Sequence, residues 1–459
     1  MEATTHGTGP IDSLKRWLQG ELILPGEDRY EEHRRVWNGM IDKRPAAIAR
    51  CDSRADVIAT VNVARSNGLL LAVRGGGHSF AGFSTCDGGM VLDLSPMNAV
   101  EVDPDGQLAR AGGGVTWGTF DAATHVHGLA TTGGLISTTG IAGLTLGGGI
   151  GWLQRKYGLA CDNLLSIELV TASGKAVRAS ADENPELFWG LRGGGGNFGV
   201  VTEFEFRLHP VSAVVGGLLL YPLERAPEVM RFYRQWLRDC PDELTTWLSA
   251  ITAPAADFVP AELQGKPALA VLACHCGDLE DAGQAIAPLR DLDPAADLIS
   301  SMPYPELQTM FDADLPPGIR CYQKAGYVAE LSDPLIETIV EHASKAPSPS
   351  STFDFHDMGG ALSRVPDDAS SFGDRQSPFC FNIVGVWKEP EADRVNREWV
   401  RKFAAGLEPF STGGVYVNFT ADADRVRAAY SAKKYERLRA LKREHDPKNL
   451  FRLNQNIAP

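Results

Sequence analysis

A chain of 459 residues has room for two or three domains at the usual ~100 to 200 residues each, and it can bury a sizeable core. Charged residues at 22% and hydrophobic residues at 44% exclude a largely disordered, collagenous or disulfide-scaffold chain. Lys and Arg number 44 against 58 Asp and Glu, a formal charge of −14 whose field repels polyanions and argues against a nucleic-acid partner.

The stretch Met1 to Ile23 carries acidic residues and no apolar centre, so it fits neither a secretory signal nor an amphipathic transit peptide. Arg34 and Arg35 sit too deep, among charged residues, to act as a twin-arginine signal. No apolar run approaches the ~20 residues that span a bilayer, so no membrane partner is expected. Eight cysteines without regular spacing fit reduced thiols, and the expected address is the cytoplasm.

In chain order, Ala46 to Cys51 reads as a short apolar strand. Ser53 is a natural N-cap for a helix whose apolar Val57, Ile58, Val61 and Ala64 recur at helical spacing until Gly68. Leu69 to Val73 reads as a buried strand, followed by strands at Met90 to Leu94 and Ala99 to Val102. A turn at Asp103 to Gly106 returns the chain into Gln107 to Ala111. Thr116 to His127 reads as helix. Leu165 to Thr171 and Lys175 to Ala179 form a hairpin, Asn184 to Leu191 is a short helix with Pro185 in its first turn, and Val200 to Leu208 alternates as a strand. From residue 211 to 410, apolar segments at 214 to 221, 268 to 276, 324 to 330 and 379 to 388 read as strands between helices such as 227 to 238 and 278 to 290. Lys345 to Ser351 is a loop, and Arg425 to Lys442 reads as a charged amphipathic helix. The expected fold class is α+β, a mixed first region to about residue 210 and a second α/β region with a sizeable sheet.

The 48 glycines are unevenly placed, in clusters at Gly75 to Gly77, Gly112 to Gly114, Gly133-Gly134, Gly140 to Gly151 and Gly193 to Gly199. Arg74-Gly75-Gly76-Gly77-His78-Ser79 follows a strand, where consecutive glycines let backbone N–H groups converge on an anion; a tight turn holding a histidine fits the same residues. The glycine density of Gly140 to Gly151 exceeds what a turn needs and favours close packing against a cofactor or a second backbone. Gly194-x-Gly196-x-x-Gly199 is formally a dinucleotide fingerprint, but a helix precedes it and a strand follows, the reverse of the mononucleotide-binding order. Cys274-His275-Cys276 lies in an apolar alternating stretch with no second ligand pair at zinc-like spacing, so no metal site is expected.

Six separated motifs together resemble one family. They are Ala72 to Ser79, Gly89 to Ser95, Gly147 to Gly158, Asp162-Asn163, Asn184 to Val200, and the terminal Asp446 to Asn456. In order, over nearly the whole chain, they are similar to the FAD-linked oxidases of the berberine-bridge-enzyme type, within the vanillyl-alcohol-oxidase superfamily. The resemblance implies a two-part PCMH-type FAD-binding domain, formed by residues 1–210 with the returning segment 411–459. It implies a substrate domain at 211–410 whose large antiparallel sheet covers the isoalloxazine. It implies covalent attachment of FAD through His78. The cofactor-binding set it implies is Arg74, Gly75, Gly76, Gly77, His78, Ser79, Gly114, Thr139, Gly140, Gly143, Gly148, Gly149, Gly151, Gly199, Val200, Asn418, Asn454 and Asn456.

Two departures from the family pattern bear on chemistry. Many members carry a second flavin link from a cysteine; Ile136 stands at that position in Gly134 to Gly140, so a singly attached, bacterial-type flavin is expected. Members that oxidise alcohols or sugars commonly have a tyrosine base in Tyr-x-Asn-Tyr, whereas this chain has Tyr416-Val417-Asn418-Phe419, and phenylalanine cannot accept a proton. Tyr416 and His356 are the candidate replacements, and an amine oxidised from its neutral form would need no such base. Thr139 falls where oxidases of the family tend to have valine beside the flavin C4a, so oxygen access is expected to be open. The resemblance therefore implies hydride transfer from a C–H next to O or N of a small molecule to flavin N5, with O2 reduced to H2O2. A flavin-dependent oxygenase of natural-product tailoring and a flavin-binding protein without turnover are the alternatives.

Overall fold

The computed structural model describes residues 10–421 and 423–459; residues 1–9, part of the amino-terminal stretch considered above, lie outside them. Three main sheets organise the chain. The first has four strands in the order Glu21–Ile23, Ala47–Arg50, Met90–Asp93, Leu71–Arg74, with the last three mutually parallel. The helix Arg54–Ser66 covers it because Val57, Val61 and Ala64 fall on one face and pack with Ala47, Ala49, Leu71, Met90 and Leu92. Ser53 caps that helix by accepting from the Asp56 amide.

The second sheet is antiparallel, in the order Val100–Asp103, Leu108–Gly112, Val200–Arg207, Leu164–Val170, Ala176–Ser180. The helix Pro185–Leu191 precedes Gly194 to Gly199 and the strand Val200–Arg207 follows, so that glycine run is a helix-to-strand connection.

The third sheet has eight strands, all antiparallel. Its order is Ala296–Asp297, Ala213–Pro222, Pro267–His275, Leu244–Thr252, Thr352–Asp357, Phe379–Trp387, Arg320–Val328, with Ser300–Pro303 also on Ala213–Pro222. Leu248, Val271, Phe353, Phe355, Phe381 and Ile383 point to one face and meet the helices Ala226–Trp236, Leu279–Arg290, Asp333–Ala343 and Asp393–Leu407. Strands Leu244–Thr252 and Thr352–Asp357 and the last two helices add to the elements read from sequence. Cys274 is buried inside its strand and His275 Nδ1 accepts from Gly277 N; among the described residues no three His, Cys, Asp or Glu side chains gather as metal ligands. No helix among the described residues is long and apolar enough to cross a membrane.

The expected helix Arg425 to Lys442 begins later. Ala423–Ala429 is a 3₁₀ turn, and the α-helix is Ala432–His445, started by the Ser431 cap on Lys434 N. The Tyr430 hydroxyl donates to Gly193 O and holds the residue before the cap against the glycine run. At its far end the helix locks onto the first half of the chain. Lys442 Nζ, fully buried, donates to Asn197 O at 2.9 Å, Phe451 O at 2.8 Å and Asp446 Oδ2 at 2.8 Å. The Asp446 carboxylate in turn accepts from the Leu450 and Phe451 amides.

Candidate active site

The strand Leu71–Arg74 ends in the glycine run, and the amides of Gly75, Gly76, Gly77, His78 and Ser79 have no hydrogen-bond acceptor among the described residues. Consecutive N–H groups of this kind form an anion-binding concavity. Glycine is required at two positions by a backbone crossing: a Cβ on Gly76 would stand 2.7 Å from Gly140 Cα, and one on Gly140 would stand 2.9 Å from Gly76 Cα. Gly143 opens on free space.

Other residues expected to touch the cofactor are occupied within the protein. The Arg74 guanidinium pairs with Asp93 at 2.9 Å and donates to His33 O and Arg35 O, because both ionic partners are buried and must satisfy each other. Gly114, Gly148, Gly149, Gly151 and Gly199 face Leu94, Phe372, Ala160, Gly133 and Val170, so they serve close packing, and Val200 is buried in its sheet opposite Val170.

His78 is held on three sides. Its Nε2 lies 2.9 Å from Thr138 Oγ1, its Nδ1 lies 3.3 Å from Thr139 Oγ1, and Trp37 stacks on the ring at 5.1 Å and 20°. Burial lowers its pKa to about 4, so the imidazole is neutral and keeps a lone pair on one nitrogen. The Thr139 hydroxyl thus lies against the His78 ring.

The tail closes over the second glycine cluster. The Tyr416 phenol oxygen accepts from Gly149 N at 2.9 Å, Ile150 N at 3.3 Å and Asn418 Nδ2 at 2.9 Å, and Asn418 Nδ2 also donates to Leu144 O at 2.8 Å. With three donors on its oxygen and burial holding its pKa well above the usual tyrosine range, Tyr416 is a brace for the turn, which corrects its candidacy as a base. Asn418 is likewise a brace. Asn454 Nδ2 donates to Gly196 O and Phe451 O, while Asn454 Oδ1, Gln455 Oε1 and Asn456 Oδ1 are buried with no partner among the described residues. Orphan acceptors in the tail and orphan amides in the glycine run are both groups that a polar cofactor would satisfy.

The large sheet contributes its other face. Phe353 and Phe355 point to the helices, so Thr352, Asp354 and His356 point away from them. Asp354 accepts from Ser249 Oγ at 2.6 Å and Thr352 Oγ1 at 3.1 Å, and burial raises its pKa to about 6. His356 lies between Trp247 at 5.3 Å and Phe419 at 5.5 Å, and burial lowers its pKa to about 4. Phe419 meets Tyr416 edge-on at 4.8 Å, and Gln323 Nε2 reaches Asn418 O at 3.4 Å, which joins the sheet face to the tail. The structure thus brings His356, Phe419 and Tyr416 together. Asp354 was not singled out from the sequence, although polar residues at 352, 354 and 356 interleaved with Phe353 and Phe355 carry the period-two signal that finds it.

Comparison with known proteins gives the family. A family model described as "FAD binding domain" matches residues 45–180, and one described as "Berberine and berberine like" matches residues 415–458. The (R)-6-hydroxynicotine oxidase of Paenarthrobacter nicotinovorans is 34% identical, over 96% of this chain and 97% of its own. An FAD-linked oxidoreductase of Dictyostelium discoideum is 32% identical, over 96% and 95%. The crystal structure of 6-hydroxy-D-nicotine oxidase from Arthrobacter nicotinovorans superposes with a TM-score of 0.86 at 31% identity, covering 96% of this chain and 98% of that one. With the amide nest, the glycine crossing and the tail closure already in place, the chain belongs to the berberine-bridge-like family of FAD-linked oxidoreductases.

Proposed function

We propose that this protein is an oxidase of a small molecule bearing a basic amine, with FAD singly and covalently attached through His78. The observation that carries the reading is the neutral, threonine-held His78 directly beside a nest of unpaired amides. The amides of Gly75 to Ser79 would hold the pyrophosphate, and the acceptors of Asn454, Gln455 and Asn456 would meet donors of the ring system. FAD held there would supply a hydride acceptor at N5 and a route for the electrons to O2. Phe419 supplies no phenol, and Ile136 supplies no second thiol.

Asp354 is the group suited to receive a proton. An incoming ammonium would meet its carboxylate, lose a proton to it, and leave the neutral amine whose adjacent C–H is oxidised. The 34% identical relative oxidises hydroxynicotine by name, and that molecule carries such an amine. The first half with 411–459 would form the FAD-binding domain and 211–410 the substrate domain, a division supported by the large sheet and its helices lying wholly within 211–410. A cytoplasmic address belongs to the same reading and is supported by eight free thiols.

The test is flavin fluorescence of the denatured chain on a gel, for wild type and His78→Ala, followed by peroxide release with panels of amines, alcohols and sugars. Fluorescence that stays with the wild-type chain and leaves the variant, with peroxide from amines, is the expected result. Flavin released from denatured wild type overturns the attachment, and peroxide from sugars alone overturns the substrate class.

A further inference from the structure

His78 is positioned by residues that belong to both halves of the chain. Thr138, which touches Nε2, sits in the loop 135–140, and that loop has no regular structure of its own. It is tied down from the second half: Asp312 accepts from Ser137 N at 2.9 Å through Oδ1 and from Ser137 Oγ at 2.5 Å through Oδ2. A carboxylate taking two hydrogen bonds from one residue fixes both its backbone and its side chain.

The same segment reaches the other side of the imidazole. Trp37, stacked on His78, donates Nε1–H to Leu315 O at 3.0 Å, its carbonyl accepts from Gly318 N at 2.8 Å, and Gly39 N donates to Ile319 O at 2.8 Å. Residues 312–319 therefore grip the stacking partner of one histidine and, through Ser137, the residue next to its hydrogen-bonding partner Thr138. None of these contacts is needed to hold the large sheet, whose strands pair among themselves.

We propose that the segment 312–319, through Asp312, Ser137 and Thr138 on one side and Trp37 on the other, positions His78 for its bond to the flavin. This inference rests on the attachment reading above. Attachment forms a bond between a ring nitrogen and the 8α-carbon, removes one proton from the 8α-methyl and one from the imidazole, and leaves two electrons on the flavin, which dioxygen takes up as hydrogen peroxide. Asp312 touches no atom of the ring and Thr138 holds it through Nε2; together they set the ring's direction, so their loss slows bond formation without preventing FAD from binding.

The experiment uses the full-length chain produced in riboflavin-limited cells, mixed with FAD and sampled over time for flavin that survives acid precipitation. Asp312→Ala and Thr138→Val are expected to attach flavin at least tenfold more slowly than wild type while still retaining FAD on a desalting column. Thr138→Ser, which keeps the hydroxyl, is expected to match wild type. Thr138 is exposed, so its variants test the idea even where Asp312→Ala folds poorly. Attachment in Thr138→Val within twofold of wild type overturns the inference alone. Wild-type flavin that never survives precipitation overturns both the inference and the attachment it rests on.

Discussion

Asp121 gives a prediction that needs no substrate. It lies on the helix Trp117–His125 of the first half and is 1% exposed. Gln308 of the second half donates from Nε2 to its Oδ2 at 2.9 Å, while Asp121 Oδ1, Gln308 Oε1 and the Tyr304 hydroxyl are buried with no partner among the described residues. Burial raises its pKa from an ordinary 3.8 to about 7. A carboxyl whose folded pKa is raised favours the folded state below its unfolded pKa, and that contribution is lost as pH rises through the folded one. Stability should therefore fall across the window from about pH 4 to 7, by up to about 4 kcal/mol at ~1.4 kcal/mol per pKa unit. Asp121→Asn keeps the shape and removes the titration. With roughly 2.1 cal/mol/K of unfolding entropy per residue over 459 residues, 4 kcal/mol is worth about 4 °C. Thermal scans of the two proteins should coincide near pH 4 and separate in favour of the variant until about pH 7. A difference that is flat with pH, or that favours wild type in alkali, refutes the reasoning.

Removing one partner of the Lys442–Asp446 pair, as in Lys442→Met, should cost about 3 to 5 kcal/mol, because the carboxylate stays buried; denaturant unfolding reads this directly. Tyr416→Phe leaves the amides of Gly149 and Ile150 without their acceptor, a loss on the order of 3 kcal/mol that a melting curve would show, with flavin content falling alongside it. Gly76→Ala drives a methyl into Gly140, so the purified variant should carry little or no flavin by absorbance at 450 nm, an approximate flavin maximum. If Asp354 takes the substrate proton, Asp354→Asn should lower amine turnover by roughly 10² to 10⁴ and remove an acidic limb near pH 6 from the wild-type profile; an unchanged limb would assign it to another group.

The parts of this fold that are written locally could be read locally. Val57, Val61 and Ala64 recur at helical spacing behind Ser53, and the helix lies where that pattern puts it. The glycine runs announce backbone crossings, but which glycine faces a cofactor and which faces a neighbouring strand depends on residues far away: Gly148 meets Phe372, and Gly199 meets Val170. Strand Leu244–Thr252 escaped because it is central and mostly buried on both faces, with Thr245, Thr246 and Ser249 inside it, so it shows neither alternation nor an unbroken apolar run. The helix at Arg425 failed for a tertiary reason, the Tyr430 bond to Gly193 that fixes the chain just before the Ser431 cap. Tyr416 was read as a candidate base from its place in a motif; its three donors come from residues 149, 150 and 418, and the first two lie more than 250 positions away.

The electrostatics of the sheet face bear on what kind of molecule the site can process. Burial moves Asp354 up to about 6 and His356 down to about 4, so at neutral pH the first is an anion and the second is uncharged. The pKa of Asp354 is governed by burial and by the hydroxyls of Ser249 and Thr352, with no cationic side chain contributing. Such a carboxylate is costly to keep ionised in a half-buried place with few polar neighbours, and the cost falls when a cation arrives beside it. A sugar or neutral alcohol brings no cation and would leave the charge uncompensated. An ammonium brings one, and once its proton has passed to the carboxylate both partners are neutral in surroundings that favour neutrality. On the proposed reading, this face, next to a Phe419 that offers no phenol, suits an amine better than an alcohol through Asp354, a residue that the glycine motifs and the terminal motif do not include.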